Sequence, residues 1–135
     1  MKEQWKPIHG AEGYEVSDHG RVRLIVFTLP WPQSVLNPNA RAHWSQVARA
    51  KRSLRAAWAW EATKQGAKRM QAETLAVRLI FHPPDKRQRD LDNMLASCKA
   101  GLDGLADVLG VDDRKWSLSL GRSPEIGGFV RVEVD

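Results

Sequence analysis

The chain has 135 residues, 42% of them hydrophobic, which is enough for one substantial core and little more. Its formal charge is +5 and it has one cysteine, Cys98, so an internal disulfide and a cysteine-rich zinc site are excluded. No apolar run approaches the ~18 residues of a membrane span, and "MKEQWKPIHG" lacks the apolar stretch of a signal peptide, so a reducing, cytoplasmic setting is expected.

The first 23 residues read as an appendage, with residues 24–135 forming the main domain. In "RVRLIVFTLPWP", Val, Ile and Phe dominate until Pro30 and Pro32, which predicts a strand ending there. "QSVLNPNARAH" carries the Asn-Pro punctuation of a loop. From about Ala40 to Gln65, Trp44, Val47, Ala48, Leu54, Trp58 and Ala62 approximate one helical stripe. Arg41, Arg49, Arg52, Arg55 and Lys64 lie mostly off that stripe, giving the helix a basic outer surface. Gly66 suits the helix end, and "TLAVRLIFHPP" predicts a second strand stopped by Pro83 and Pro84. A second helix is expected from about Asp92 to Leu109, since Leu95, Cys98, Leu102, Leu105 and Leu109 recur at steps of three and four before Gly110. "KWSLSLGR" and "GGFVRVEV" alternate as two further strands. The order strand, helix, strand, helix, strand, strand predicts an α+β fold, a mixed sheet with two main helices packed on it.

Charge is divided unevenly along this order. Residues 1–23 carry 4 cations and 4 anions, residues 24–89 carry 12 and 3, and residues 90–135 carry 5 and 9. A basic stretch followed by an acidic one suits a polyanion held beside a metal or proton-transfer site, and it equally suits a solvated basic surface. The boundary falls in "PPDKRQRDLDNM", where Lys86, Arg87 and Arg89 stand against Asp90 and Asp92. Those two carboxylates sit where loop becomes helix, and "GVDDRKW" adds Asp112 and Asp113 before the third strand. If that strand pairs beside the one ending at His82, the acids meet across the sheet rim. Carboxylates so grouped hold a hard divalent cation, which polarises a phosphodiester, while the cations hold phosphate. The competing reading is structural: Asp and Asn are good N-caps, and "DD" after Gly makes a turn. Lys99 and Asp103 share a helical face with Asp92 and Ala96, so Lys99 either meets a phosphate or pairs with Asp103.

Taken together, "TLPWP", "HPPDKRQRDLDN", "KAGLDGL" and "VDD" resemble the RusA family of Holliday-junction resolvases of bacteria and prophages, over about residues 24–135. The resemblance implies a small α+β domain that forms a homodimer in the cytoplasm and nicks four-way DNA junctions symmetrically in recombination and repair. It implies magnesium, with manganese as a substitute. The family's D-x-D-N aspartates fall on Asp90 and Asp92, and the second aspartate of its later pair on Asp113, as metal ligands and catalytic residues. Its DNA-contacting cations fall on Lys86, Arg87 and Arg89. The family lysine falls on Ala96; a helix three residues longer returns Lys99 to nearly the same face, so Lys99 takes the lysine role.

"WKPIHGAEGYEVSDHGRVR" resembles the NUMOD-type DNA-binding segment found beside homing-endonuclease domains, over about residues 5–23. It also reads as a hairpin turning at Gly20 and feeding the first strand. Among six tryptophans, Trp44 and Trp58 are expected in the core, with Trp31 and Trp60 facing a partner. His43 and His82 lie near loops, as possible neighbours of a metal or phosphate. Two alternatives stay open: a catalytically silent DNA-binding module, and a nuclease acting on other branched DNA.

Overall fold

The computed structural model describes residues 4–7, 15–17 and 22–135. A small antiparallel sheet comes first: β1 (Trp5–Pro7), β2 (Glu15–Ser17) and β3 (Val22–Arg23), in that order. The β2–β3 pairing agrees with the expected hairpin, whose turn at Gly20 lies outside the described residues. The single strand expected through "RVRLIVFTLPWP" is instead broken in two. Leu24 adopts a positive φ of 27°, a left-handed kink rare for a branched side chain, and β4 (Ile25–Pro30) starts afresh after it.

The rest forms an α+β layer pair in the predicted order: α1 (Trp44–Lys64), β5 (Leu75–His82), α2 (Leu91–Ser97), α3 (Lys99–Leu109), β6 (Trp116–Arg122) and β7 (Phe129–Val134). The four-stranded sheet runs β4-β7-β5-β6, mixed, with β6 parallel to β5 and the other pairs antiparallel. Alternate residues of the three adjacent strands β4, β7 and β5, among them Phe27, Leu29, Val77, Leu79, Phe81, Val130 and Val132, are buried, while Thr28, Arg78 and Arg131 are exposed. The period of two thus gives the sheet one core face, against which Leu54, Trp58, Leu102, Leu105 and Leu109 join the same cluster.

α1 begins at Trp44, later than expected, because residues 37–40 form their own turn. The Asn37 side chain accepts from the Asn39 amide at 2.8 Å, and the Ala40 amide donates to the Asn37 carbonyl at 2.9 Å. His43 then caps the helix, its Nδ1 accepting from the Ser45 amide at 3.1 Å. Fully buried positions start only at Ala50 and recur at Leu54, Trp58 and Ala62. Trp44, expected in the core, therefore projects past it and is 76% exposed. Trp31, expected on a partner surface, is instead half-buried, edge-on to Phe81 with centroids 6.2 Å apart.

The single helix expected over Asp92 to Leu109 is two, jointed at Cys98. The Ser97 hydroxyl donates to the Asn93 carbonyl at 2.8 Å, and the Cys98 amide donates back only three residues, to Leu95 at 3.0 Å. Together they tighten the turn at the point where one helix gives way to the next. Burial pushes the Cys98 thiol up to about 12. α3 packs against α1 through glycines: a Cβ on Gly101 would lie 2.4 Å from the Trp58 ring, and one on Gly104 2.2 Å from the Arg55 carbonyl oxygen.

Gln65, just past α1, bonds the outer edge of β4. Its Oε1 accepts from the Thr28 amide at 2.8 Å, and its Nε2 donates to the Thr28 carbonyl at 2.7 Å. Two residues on, the Trp58 indole N–H donates to the Pro30 carbonyl at 2.9 Å. No helix among the described residues is long and apolar enough to cross a membrane.

Candidate functional site

Two open hollows lie on either side of α2. One, about 580 Å³, is lined by Trp31, the 33–40 segment, Arg87, Arg89, Asp90 and Asn93. The other, about 520 Å³, lies between α1 and the α2–α3 pair, with Lys51 on one wall and Asp92, Lys99 and Asp103 on the other. Ser97 reaches both. Asp90 and Asp92 therefore open into different spaces, although only one residue separates them.

Asp90 stands at the N-cap position of α2, where its carbonyl accepts from the Met94 amide at 3.0 Å. Its carboxylate makes no cap bond and accepts only weakly from the Asn93 amide group at 3.4 Å, so capping does not consume it. Asp92 is exposed in the first turn. The pair after Gly110 behaves differently. Asp112 accepts from the Arg114 amide at 2.9 Å and pairs with its guanidinium at 3.0 Å, which holds the Asp112 carboxyl well below the usual range. That residue is the turn former, as "DD" after Gly allowed.

Asp113 is bound directly by the Lys99 ammonium, which also pairs with Asp103 at 3.1 Å. Of the two outcomes foreseen for Lys99, the pair with Asp103 is the one present, and the same ammonium also bridges to Asp113 while lining the groove. The expected meeting of the acid pairs at one sheet rim does not occur. β6 does pair with β5, but in parallel, with Leu75 opposite Trp116 and Phe81 opposite Arg122. Asp113 accordingly lies at the opposite end of that strand pair from His82, roughly 20 Å along it. Among the described residues, no three His, Cys, Asp or Glu side chains are grouped to hold a metal ion. Asp90, Asp92 and Asp113 do not form a ready three-carboxylate cage.

The basic loop is built by a residue that composition overlooks. Asp85 accepts from the Arg87 amide at 3.0 Å and pairs with Arg89 at 2.9 Å, and these contacts depress its carboxyl strongly, Arg89 most. The Arg89 side chain is only 17% exposed and lies 5.7 Å over the Trp31 ring. Arg122 donates to the Arg89 carbonyl at 3.1 Å, fixing the loop to β6. Arg89 is thus a scaffold of the loop. Lys86, and the 80% exposed Arg87 beside Asp85, face solvent. The signal available was an Asp two and four residues before arginines, directly after a proline pair. His82 stacks on Phe129 at 4.3 Å, and His43 caps α1.

Lys99 gives a direct test of the groove's wiring. Its pKa is raised, by Asp113 first and Asp103 after. A raised lysine contributes stability below its ordinary value of 10.5 and loses it as pH rises through the folded value. Lys99→Met is expected to cost about 0.5–1 kcal/mol, modest because the ammonium is partly in water. In urea titrations the gap between parent and variant should hold steady from pH 6 to 9, by rough bounds, and close only in stronger alkali.

The fold and groove define a small α+β protein with a basic helix and a lysine-bridged acidic wall. Residues 3–27 match the NUMOD4 motif, which points to DNA as a ligand, and the match runs into β4. A protein of Xylella fastidiosa, described as uncharacterized, is 39% identical over 100 residues, covering 72% of this chain and 65% of that protein. The match thus spans less than two thirds of that relative's length.

Proposed function

We propose that this chain is a magnesium-dependent, structure-selective DNA endonuclease of the RusA kind, which resolves four-way junctions by paired nicks as a homodimer. The observation that carries the reading is the groove lined by Lys51, Asp92, Lys99 and Asp103, with Lys99 also tied to Asp113. The DNA-binding motif at residues 3–27 supports the choice of substrate.

Within the groove the residues divide the work by charge. Lys99 has three N–H donors, of which its two carboxylates take two, leaving one for a phosphate oxygen. Lys51 supplies a second cation across the groove. Asp92, exposed with no cation bound to it among the described residues, stands ready to accept a proton from an attacking water. Magnesium commonly takes one or two carboxylates with water and substrate phosphate. No chemical step is assigned to it, because the three expected carboxylates do not converge.

The same separation favours one rival, a DNA-binding module without catalysis. A panel of labelled four-way junction, flap and linear duplex, incubated with the chain in magnesium and in EDTA, separates the readings. Magnesium-dependent paired nicks on the junction, at least tenfold faster than on duplex, are expected. Binding without cleavage in either buffer would establish the silent module, and faster cutting of the flap would shift the substrate to other branched DNA.

A further inference from the structure

α1 presents to solvent a stripe that the groove does not use. Arg49, Arg52, Ala56 and Trp60 follow at steps of three and four, so they share a face, and all four are exposed. Lys51 turns into the groove, and the stripe lies well round the helix from it. The 21-residue helix has one acid, Glu61, already paired with Lys64 at 3.4 Å. Arg55 is held by Asp107 on α3 at 2.8 Å, whereas Arg49 and Arg52 make no ion pair among the described residues.

Two unneutralised guanidiniums therefore precede, on the same face, an indole left 64% exposed. Cations beside an exposed aromatic are the combination that holds a nucleic-acid strand: guanidinium neutralises phosphate, and the indole stacks on a base without regard to its identity. Arg49 and Trp60 stand about 16 Å apart along the axis, room for several stacked nucleotides. A nucleic-acid strand carries negative charge at regular intervals along its length, which matches two arginines and an indole spaced along one face.

We propose that the outward face of α1 is a second DNA-contact surface, with Arg49 and Arg52 on phosphates and Trp60 stacked on an unpaired base. The surface goes beyond the nuclease reading, since it needs DNA but no hydrolysis.

Fluorescence anisotropy of a labelled single strand and of the same sequence as duplex, titrated with the full chain in EDTA, tests it. Arg49→Gln with Arg52→Gln should weaken single-strand binding about tenfold and flatten the salt slope by about 1.4, two phosphates' worth. Trp60→Ala should weaken it about tenfold, and Trp60→Phe should recover most of that. Ala56→Glu, an exposed change with good helix propensity, should repel the strand about as strongly as the arginine loss. Ser119→Ala, an exposed change on β6, should bind as the parent does.

Unchanged affinity and slope in the arginine and Ala56→Glu variants would overturn the proposal, even if the parent cuts junctions. Loss of self-association by Trp60→Ala in sedimentation, with DNA binding intact, would overturn it in favour of a protein interface. Weakened binding in these variants, in a parent that never cleaves, would sustain it while the nuclease reading fails.

Discussion

Asp92→Asn is expected to leave the fold intact and to lower junction cleavage by about 100-fold or more, the loss of roughly 3 kcal/mol at the reacting phosphate. The change keeps the shape of the side chain and removes its charge. Structure should survive, because Asp92 is exposed and makes no ion pair among the described residues. What the helix loses is the attraction of a first-turn acid to its N-terminus, about 0.5 kcal/mol. Junction affinity should hold or rise, since an anion that repels phosphate is gone. The measurement is the single-turnover rate on a labelled four-way junction, beside a binding titration in EDTA and a urea curve. A variant that cuts as fast as the parent would remove Asp92 from the chemistry and leave the groove a binding feature.

Gly104→Ala should have the largest effect on stability, about 3 kcal/mol, at the upper end of what overpacking costs. A methyl there would meet the Arg55 carbonyl oxygen at 2.2 Å, and that oxygen is backbone, with no rotamer to retreat into. Relief must come from moving α3 off α1, which opens the contacts of Trp58 and strains the Arg55–Asp107 pair. For a chain of this length the cost corresponds to a melting point lower by about 10 °C. Gly121→Ala is the control, since its added carbon would meet only the tip of Arg78 at 3.8 Å. Equal melting points for the two variants would show that the helices are not in such close contact.

The strands and helices were legible because local chemistry marks them. The proline pairs at the ends of β4 and β5, the period of two in β5 and β7, and Gly110 at the end of α3 each act within a few residues. Gly110 has φ 72°, the left-handed conformation expected of a helix stop. Trp44 shows where that reasoning ends. It falls on the right stripe of the helix, but burial depends on what lies opposite, and the core stops short of the first turn. Arg89 shows the same for function: its position in a basic run says phosphate, yet Asp85 and Trp31 claim it. The relation of Asp113 to Asp90 and Asp92 rested on whether β6 runs with β5 or against it, a non-local choice that no single segment encodes. Lys99 was placed correctly as a member of the acidic face, and its bridge to Asp113 came from the joint at Cys98 and the turn begun by Asp112.

The grip of Gln65 on Thr28 bears on how copies of this chain can associate. A sheet with two free margins can add strands at both and grow into an open ribbon. Here one margin is shut: Thr28 gives both outward backbone groups to Gln65, and Pro30 has no N–H and lends its carbonyl to Trp58. Only the β6 side remains open among the described residues. Joining β6 to β6 uses the same edge of both molecules, which demands a two-fold axis and leaves nothing for a third copy. A glutamine side chain thereby confines strand addition on the four-stranded sheet, among the described residues, to pairs.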